Sequence, residues 1–182
     1  MKHYETKRLS LRTVTSSDLY LLKDYLLRNR RFLSQWEPLR PDSYYEDTAI
    51  LQRIENEIIA NSKQSQLSLY VSIKGDKQII GNVTLSNIVR GPFQSCFIGY
   101  KLDEAMINNG YITEAIGAVI EIAFHDLELH RIEANIMPKN RRSIRVVEKL
   151  GFTCEGLSKD YLKINGIWED HAHYVLLNSE MR

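Results

Sequence analysis

The chain has 182 residues, 43% hydrophobic and 26% charged, an ordinary composition that a single domain can fold around a real core. Its 24 basic and 23 acidic residues leave a net charge of +1, which argues against a nucleic-acid binder with a broad basic face, though not against a local basic pocket. No apolar run approaches the ~20 residues of a membrane span, MKHYETKRLS lacks a signal-peptide core, and Cys96 and Cys154 are too few for a disulfide scaffold or a zinc site, so the expected location is the reducing cytoplasm.

Taken in order, Arg8 to Val14 alternates Leu9 and Leu11 against Arg8, Ser10 and Arg12, the pattern of a half-buried strand. Thr15 to Asp18 supply N-cap chemistry for a helix carrying Leu19, Leu22, Tyr25 and Leu26. Asn29 to Tyr45 is aromatic, proline-bearing and irregular, a loop with room for a helical turn. A second helix is predicted from Glu46 to Asn61, with Ile50, Ile54, Ile58 and Ile59 on its inner side. From Leu67 the pattern changes to strands: LSLYVSI, IIGNVTLSNIV and SCFIGYKL, separated by turns at Lys74–Lys77 and Arg90–Pro92 short enough to make antiparallel neighbours.

Next comes a polar corner, Asn108-Asn109-Gly110, and an amphipathic helix. Ile112, Ala115, Ile116, Val119, Ile120, Ala123 and Phe124 form its buried face. Arg131 to Met137 reads as a strand and Asn140 to Leu150 as a helix ended by Gly151. Phe152 to Lys163 and Trp168 to Leu177 are strands joined by an Asn165-Gly166 hairpin turn. The order β α α β β β α β α β β gives one α/β (α+β) domain over residues 1–182. Its sheet is mixed and mostly antiparallel, of about seven strands, with helices on both faces. A right-handed crossover through the long helix makes the strands at 95–102 and 131–137 parallel neighbours, and ligands collect at such points. The corner at Asn108–Thr113 sits there, where unpaired N–H groups and the positive end of a helix dipole make a seat for phosphate. A strand–helix corner without a ligand has the same pattern.

The chain resembles the GCN5-related N-acetyltransferases (GNAT). It is most similar to the RimJ/RimL type that acetylates the N-terminal alanine of ribosomal proteins, and within that type to the RimJ-like branch. The likeness runs through RLSLR, NRRFLSQWEP, IIGNVTLSNIVRGPF, IGYKLDE with GYITEA, HRIEANIMPKNRRSIRVVEKLGF and EGLSKDYLKINGIWEDH. It implies the GNAT fold and acetyl-CoA as co-substrate without a metal. It also implies a primary-amine acceptor, above all a ribosomal protein's N-terminus, acetylated by direct attack in a ternary complex. The same fold also serves enzymes that acetylate small amines, and a non-catalytic acyl-CoA-binding module is the third reading. No partner membrane or nucleic acid is implied.

Carried over residue by residue, the likeness places CoA against the strand end at Tyr100 and Leu102. Its phosphates fall against Ile107, Asn108, Asn109, Gly110, Tyr111, Ile112 and Thr113. The family's phosphate pattern begins with Gln or Arg and is richer in glycine; here Ile107 and Asn108 stand in those places, and Gly110 matches. A charge introduced at Gly110 is expected to enter the seat. Asn140 is implied to contact the pantetheine arm and Ser143 to donate a proton to the leaving thiolate, although both also read as helix-cap residues. Arg141, Arg142, Arg145 and Lys149 face either the phosphates or solvent.

The family's base positions fall on Leu162 and Asn135, which cannot take a proton. The candidate carboxylates are Asp160, taken to share the strand face of Leu162, with Glu133 and Glu104, each equally an ordinary surface group. Phe32, Trp36 and Tyr44 are expected to line an acceptor groove, or in the case of Trp36 to plug the sheet edge. Cys96 and Cys154 read as packing residues. His125, His130, His171 and His173 have no metal-ligand spacing.

Overall fold

A computed structural model describes residues 2–181. Eight strands form one sheet in the order β1-β2-β3-β4-β5-β6-β8-β7. They are β1 (His3–Glu5), β2 (Leu9–Arg12), β3 (Leu67–Ile73), β4 (Gly81–Val89), β5 (Ser95–Leu102), β6 (Arg131–Ile136), β7 (Thr153–Ile164) and β8 (Ile167–Leu177). The helices are α1 (Leu19–Leu33), α2 (Asp47–Ser62), α3 (Tyr111–Glu121) and α4 (Arg141–Lys149). All strand pairs are antiparallel except β5 with β6. The expected mixed sheet is present, with one more strand than the seven foreseen. β1 is three residues long, too short to show a period of two.

Two apolar clusters hold the layers. On one face, Ala115, Ile116, Val119 and Ile120 of α3 and Ile144 and Val147 of α4 pack on Ile98, Ile132, Ala134 and Ile136. On the other, Leu22, Tyr25 and Leu26 of α1 meet Ile50 and Ile54 of α2 over Tyr70. The predicted face of α3 is buried as read, and the helix ends in a π-type turn, with Leu127 N–H donating to Ile122 O at 2.9 Å.

Three readings of the α1–α2 region are corrected. α1 does not stop near Asn29 but runs to Leu33, because Asn29 spends its side chain inside the fold. Its Nδ2 donates to Tyr25 O (3.0 Å) and its Oδ1 accepts Glu104 N–H (3.0 Å). A tertiary partner overrides the weak helix propensity of Asn. The segment after it folds into two short 3₁₀ turns, Ser34–Trp36 and Asp42–Tyr45. In α2, Ile58 and Ile59 face outward, 40% and 51% exposed. The inner stripe continues instead through Arg53 and Glu57, which bond to each other and to the buried Tyr70 hydroxyl. Periodicity located the stripe but not its polar half.

The exit of β5 is fixed from α1. Asp103, 3% exposed, accepts from Arg28 Nε (2.7 Å) and from Ala105 N–H (3.0 Å), and Arg28 also donates to Ile79 O (2.9 Å). Removing the charge takes from Arg28 its buried partner and leaves it the exposed Asp24 and Ile79 O. Asp103→Asn is therefore expected to cost about 2 kcal/mol, read as a lower urea midpoint at unchanged m. An unchanged midpoint would show that the anchor is dispensable.

Candidate functional site

β5 and β6 pair in parallel only at Ser95↔Arg131, Cys96↔Ile132 and Phe97↔Glu133. Beyond that the strands part, and their carboxyl ends lead to the starts of α3 and α4. The gap is an open cleft of about 860 Å³. Its walls include Tyr100, Leu102, Ile107, Asn108, Gly110, Ile112 and Thr113 on the α3 side, and Asn135, Asn140 and Ser143 on the other.

The corner before α3 has an unusual backbone. Asn108 and Gly110 both have left-handed conformations (φ +65° and +75°). Asn tolerates that region better than most residues, so Asn108 stands where glycine would be easiest. Seven successive amides, Ile107 to Thr113, donate to no acceptor among the described residues. Glu114 is the first to re-enter the ladder, on Gly110 O at 3.1 Å. Unpaired amides at a helix start attract an anion.

Arg8 holds this corner from behind. It donates through Nε and N–H to the two oxygens of Glu114 (2.6 and 2.8 Å) and through Nη1 to Asn109 O (2.9 Å), and its guanidinium lies 4.6 Å over the Tyr111 ring. A Cβ built on Gly110 would lie 3.5 Å from that guanidinium. A side chain there points behind the seat, contrary to the sequence expectation. Asn109 and Tyr111 also lie on this rear side, outside the cleft wall.

Across the gap, Asn140 caps α4: its Oδ1 accepts Ser143 N–H at 3.2 Å. The Ser143 hydroxyl has no protein partner among the described residues, while Ser143 O accepts the Tyr100 hydroxyl at 3.0 Å. Burial pushes the Tyr100 phenol upward in pKa, so it stays a donor. Arg141, Arg142, Arg145 and Lys149 line the same side of the cleft and make it basic.

The far end of the cleft carries Phe32, Trp36, Glu37, Lys101 and His171. Glu37 and Lys101 form an ion pair. Burial lowers the Lys101 pKa, against the opposing pull of Glu37. Asn165 N–H donates to Glu37 O at 2.8 Å, so the β7–β8 hairpin tip is tied to the Trp36–Pro38 segment. Tyr44 belongs to a smaller adjoining pocket of about 140 Å³, which Glu37 shares.

The candidate carboxylates do not converge on the cleft. Glu104 and Asp160 are exposed and absent from its walls. The alternation that put Asp160 on the face of Leu162 is broken by a bulge between Ser158 and Leu162, where Asp160 itself has φ +48°. Glu133 is spent on His173 and Arg131. Cys96 is sealed and its thiol pushed up to about 12 by burial, whereas Cys154 is exposed, against the expectation that it packs. Among the described residues no His, Cys, Asp and Glu group has metal-site geometry, and no helix is long and apolar enough to cross a membrane. Glu37, Lys101 and His171 lie within stretches that carry the family likeness, but their spacing does not single them out as site residues.

Comparison with known proteins agrees with this geometry. The family model described as an acetyltransferase (GNAT) domain matches residues 8–153. The probable N-acetyltransferase YjcK of Bacillus subtilis (strain 168) is 42% identical over 152 residues, 84% of this chain and 84% of that protein. The crystal structure of ribosomal-protein-S5-alanine acetyltransferase from Vibrio fischeri superposes with a TM-score of 0.94 at 34% identity, covering 100% of both chains. Mycobacterium smegmatis RimJ, solved in complex with CoA-disulfide, superposes at 0.89 and 27% identity, covering 95% of this chain and 83% of that one.

The Arg8–Glu114 clamp makes a pH prediction. Burial raises the Glu114 carboxyl, but hydrogen bonds from Thr6 and Arg8 outweigh it and hold the pKa below its ordinary 4.5. A depressed carboxylate contributes stability above its unfolded pKa and loses it as pH falls through the folded one. Arg8→Ala is therefore expected to flatten the loss of stability between about pH 5 and pH 3 by about 0.5–1 kcal/mol, the size suited to a half-exposed pair. Urea titrations at several pH values check it. Parallel wild-type and variant curves would contradict the clamp.

Proposed function

The chain belongs to the GNAT acetyltransferase family and is an N-acetyltransferase, and from that premise we propose that it moves acetyl from acetyl-CoA to the N-terminal α-amine of a ribosomal protein, alanine first, in the cytoplasm. The observation that carries the CoA half is the run of seven unpaired amides from Ile107 to Thr113, at a corner bordering a cleft whose other wall is basic. The full-length likeness to an S5-alanine acetyltransferase supports the acceptor half.

The residues fit the co-substrate. The amides of Ile107–Thr113 would hold the pyrophosphate without a cationic side chain, so the absence of Gln or Arg at position 107 costs the seat no backbone donor. Arg141, Arg142, Arg145 and Lys149 would meet the remaining phosphate charge. The strand ends at Tyr100, Leu102 and Asn135, unpaired only along the edges that face the gap, and the Asn140 amide would guide the pantetheine arm between them. When bound, acetyl-CoA supplies an activated thioester. Ser143, with its hydroxyl free at the positive end of α4, donates to the departing thiolate. Phe32 and Trp36 wall the acceptor end, and Tyr44 supports them from the pocket behind. Cys96 is sealed and protonated, which favours direct attack by the amine over a route through an acetyl-cysteine.

Two measurements test this. Thr113 is the third helical residue of α3 and lines the cleft. An acidic residue there suits the helix dipole but puts a negative charge in the phosphate seat. Thr113→Asp is expected to leave the melting temperature unchanged or slightly raised while weakening CoA binding by about 30-fold or more, a loss of ~2 kcal/mol. Unchanged CoA affinity would mean that the phosphates bind elsewhere. For the acceptor, wild-type protein with acetyl-CoA is offered peptides beginning with Ala, lysine-bearing peptides blocked at the N-terminus, polyamines and aminoglycosides. Mass spectrometry is expected to find acetyl on the α-amine of the Ala peptides. Acetylation confined to the small amines would overturn the ribosomal reading, and acetyl-CoA binding without transfer to any amine would overturn the enzyme reading for the acceptor classes tested.

A further inference from the structure

Direct attack on a thioester requires that an ammonium first lose a proton, and the carboxylates considered from sequence lie outside the cleft or are engaged elsewhere. We propose that His171 is the general base of this site and that Asn135 orients the amine beside it. The assignment rests on the acetyl-transfer reading above.

The hydrogen bonding of His171 fixes its tautomer. Nδ1 lies 3.0 Å from Glu169 O, and a carbonyl can only accept, so Nδ1 carries the hydrogen. The neutral ring then has its lone pair on Nε2, at the corner turned away from its own strand. Nε2 has no protein partner among the described residues. His171 is 3% exposed and lines the cleft, so the part of it that ligand can reach is reached from there. Its ring is held in place by Tyr161 of β7, whose centroid is 5.6 Å away.

Asn135 supplies the second acceptor. β6 and β8 pair with Asn135 opposite His173 and Ile136 opposite Ala172, so Asn135 and His171 are diagonal neighbours on one face of adjacent strands. The Asn135 Oδ1 is sealed from solvent and has no hydrogen-bond partner among the described residues, although the residue lines the cleft. A buried carbonyl oxygen without a donor is costly, and a ligand bearing N–H groups removes that cost. An ammonium has three. One can go to Asn135 Oδ1 and one to His171 Nε2, a pairing that recognises a primary amine.

The other titratable groups nearby are already engaged. His173, next on β8, has Nδ1 on Glu133 Oε1 (3.0 Å) and Nε2 on Ser158 Oγ (2.7 Å), so neither nitrogen is available. Glu133 also takes Arg131 (3.1 Å). Tyr161 faces both rings. On the strand of His171, Glu169 is paired with Lys139, and Asp170 accepts Asp160 N–H (3.0 Å). Across the cleft, Glu37 is held by Lys101, and Arg141 and Arg142 cannot give up a proton.

In balance, the ammonium passes one proton to His171 Nε2. The freed amine lone pair forms the N–C bond to the acetyl carbon, and the C–S bond breaks with its electrons on sulfur. The second amine proton ends on that sulfur, as the CoA thiol, and the imidazolium returns its proton to solvent. Nothing is oxidised or reduced.

The test uses the full chain with acetyl-CoA and whichever amine the wild type acetylates. His171→Asn keeps a donor where Nδ1 sits and removes Nε2, and His171→Gln places an uncharged amide near Nε2. Both are expected to bind CoA as the wild type does and to lower kcat by about 100-fold or more. The wild-type kcat is expected to rise with pH, as it must when the base acts in its unprotonated form, and both variants to lack that limb. Asn135→Ala is expected to raise the acceptor KM about tenfold with a smaller change in kcat. Variants that keep kcat within about threefold and retain the rising limb would overturn the base assignment while leaving acetyl transfer standing. A wild type that acetylates no amine would overturn both, and this is read before any variant is made.

Discussion

The separation of β5 from β6 after Phe97 and Glu133 is the constraint on which the rest of the site depends. Two parallel strands that stay paired bury their backbone groups in each other. Two that part leave donors and acceptors needing partners from water or a ligand. Here the parting is held open from both sides. Asp103 and Arg28 fasten the end of β5 to α1, and α3 and α4 each begin at the mouth of the gap. The Tyr100 hydroxyl on Ser143 O sets the distance between the two walls. The positive ends of two helices therefore meet over one cleft, which favours an anionic, elongated ligand.

Charge is arranged so that function is left to backbone. Arg8, the cation that braces the corner, is turned to the rear and neutralised by Glu114. That arrangement fixes the corner without filling it. Cations of α4 line the opposite wall. At the far end the polarity changes: Asn135 Oδ1 and His171 Nε2 are acceptors without donors among the described residues, suited to an ammonium. On the proposed reading one end of the cleft would take an anion and the other a cation, and so would bring CoA and an amine together.

Much of this was legible in the chain. The strand at 95–102, the amphipathic run from Ile112, the Gly151 stop and the Asn165-Gly166 turn all announced themselves, because each rests on a local period or a local backbone requirement. What failed depended on partners distant in sequence. Asn29 stays helical because Glu104 needs its oxygen, and the inner face of α2 turns polar because Tyr70 waits beneath it. Asp160 left its expected face at a bulge that no spacing announces. His171 was judged only by its spacing from other histidines, whereas what distinguishes it is a carbonyl on its own strand and an open cleft beyond.

If the corner at Ile107–Thr113 and the start of α4 form one CoA seat, both must respond together when CoA binds. Titration of ¹⁵N-labelled protein with CoA, followed by amide chemical shifts, reads this without any variant. The largest shifts are expected at residues 107–113, with a second group at 136–143 and little change in α2 or the β7–β8 hairpin. Saturable shifts centred on α2 or that hairpin, with 107–113 unmoved, would place the ligand elsewhere and refute the shared seat.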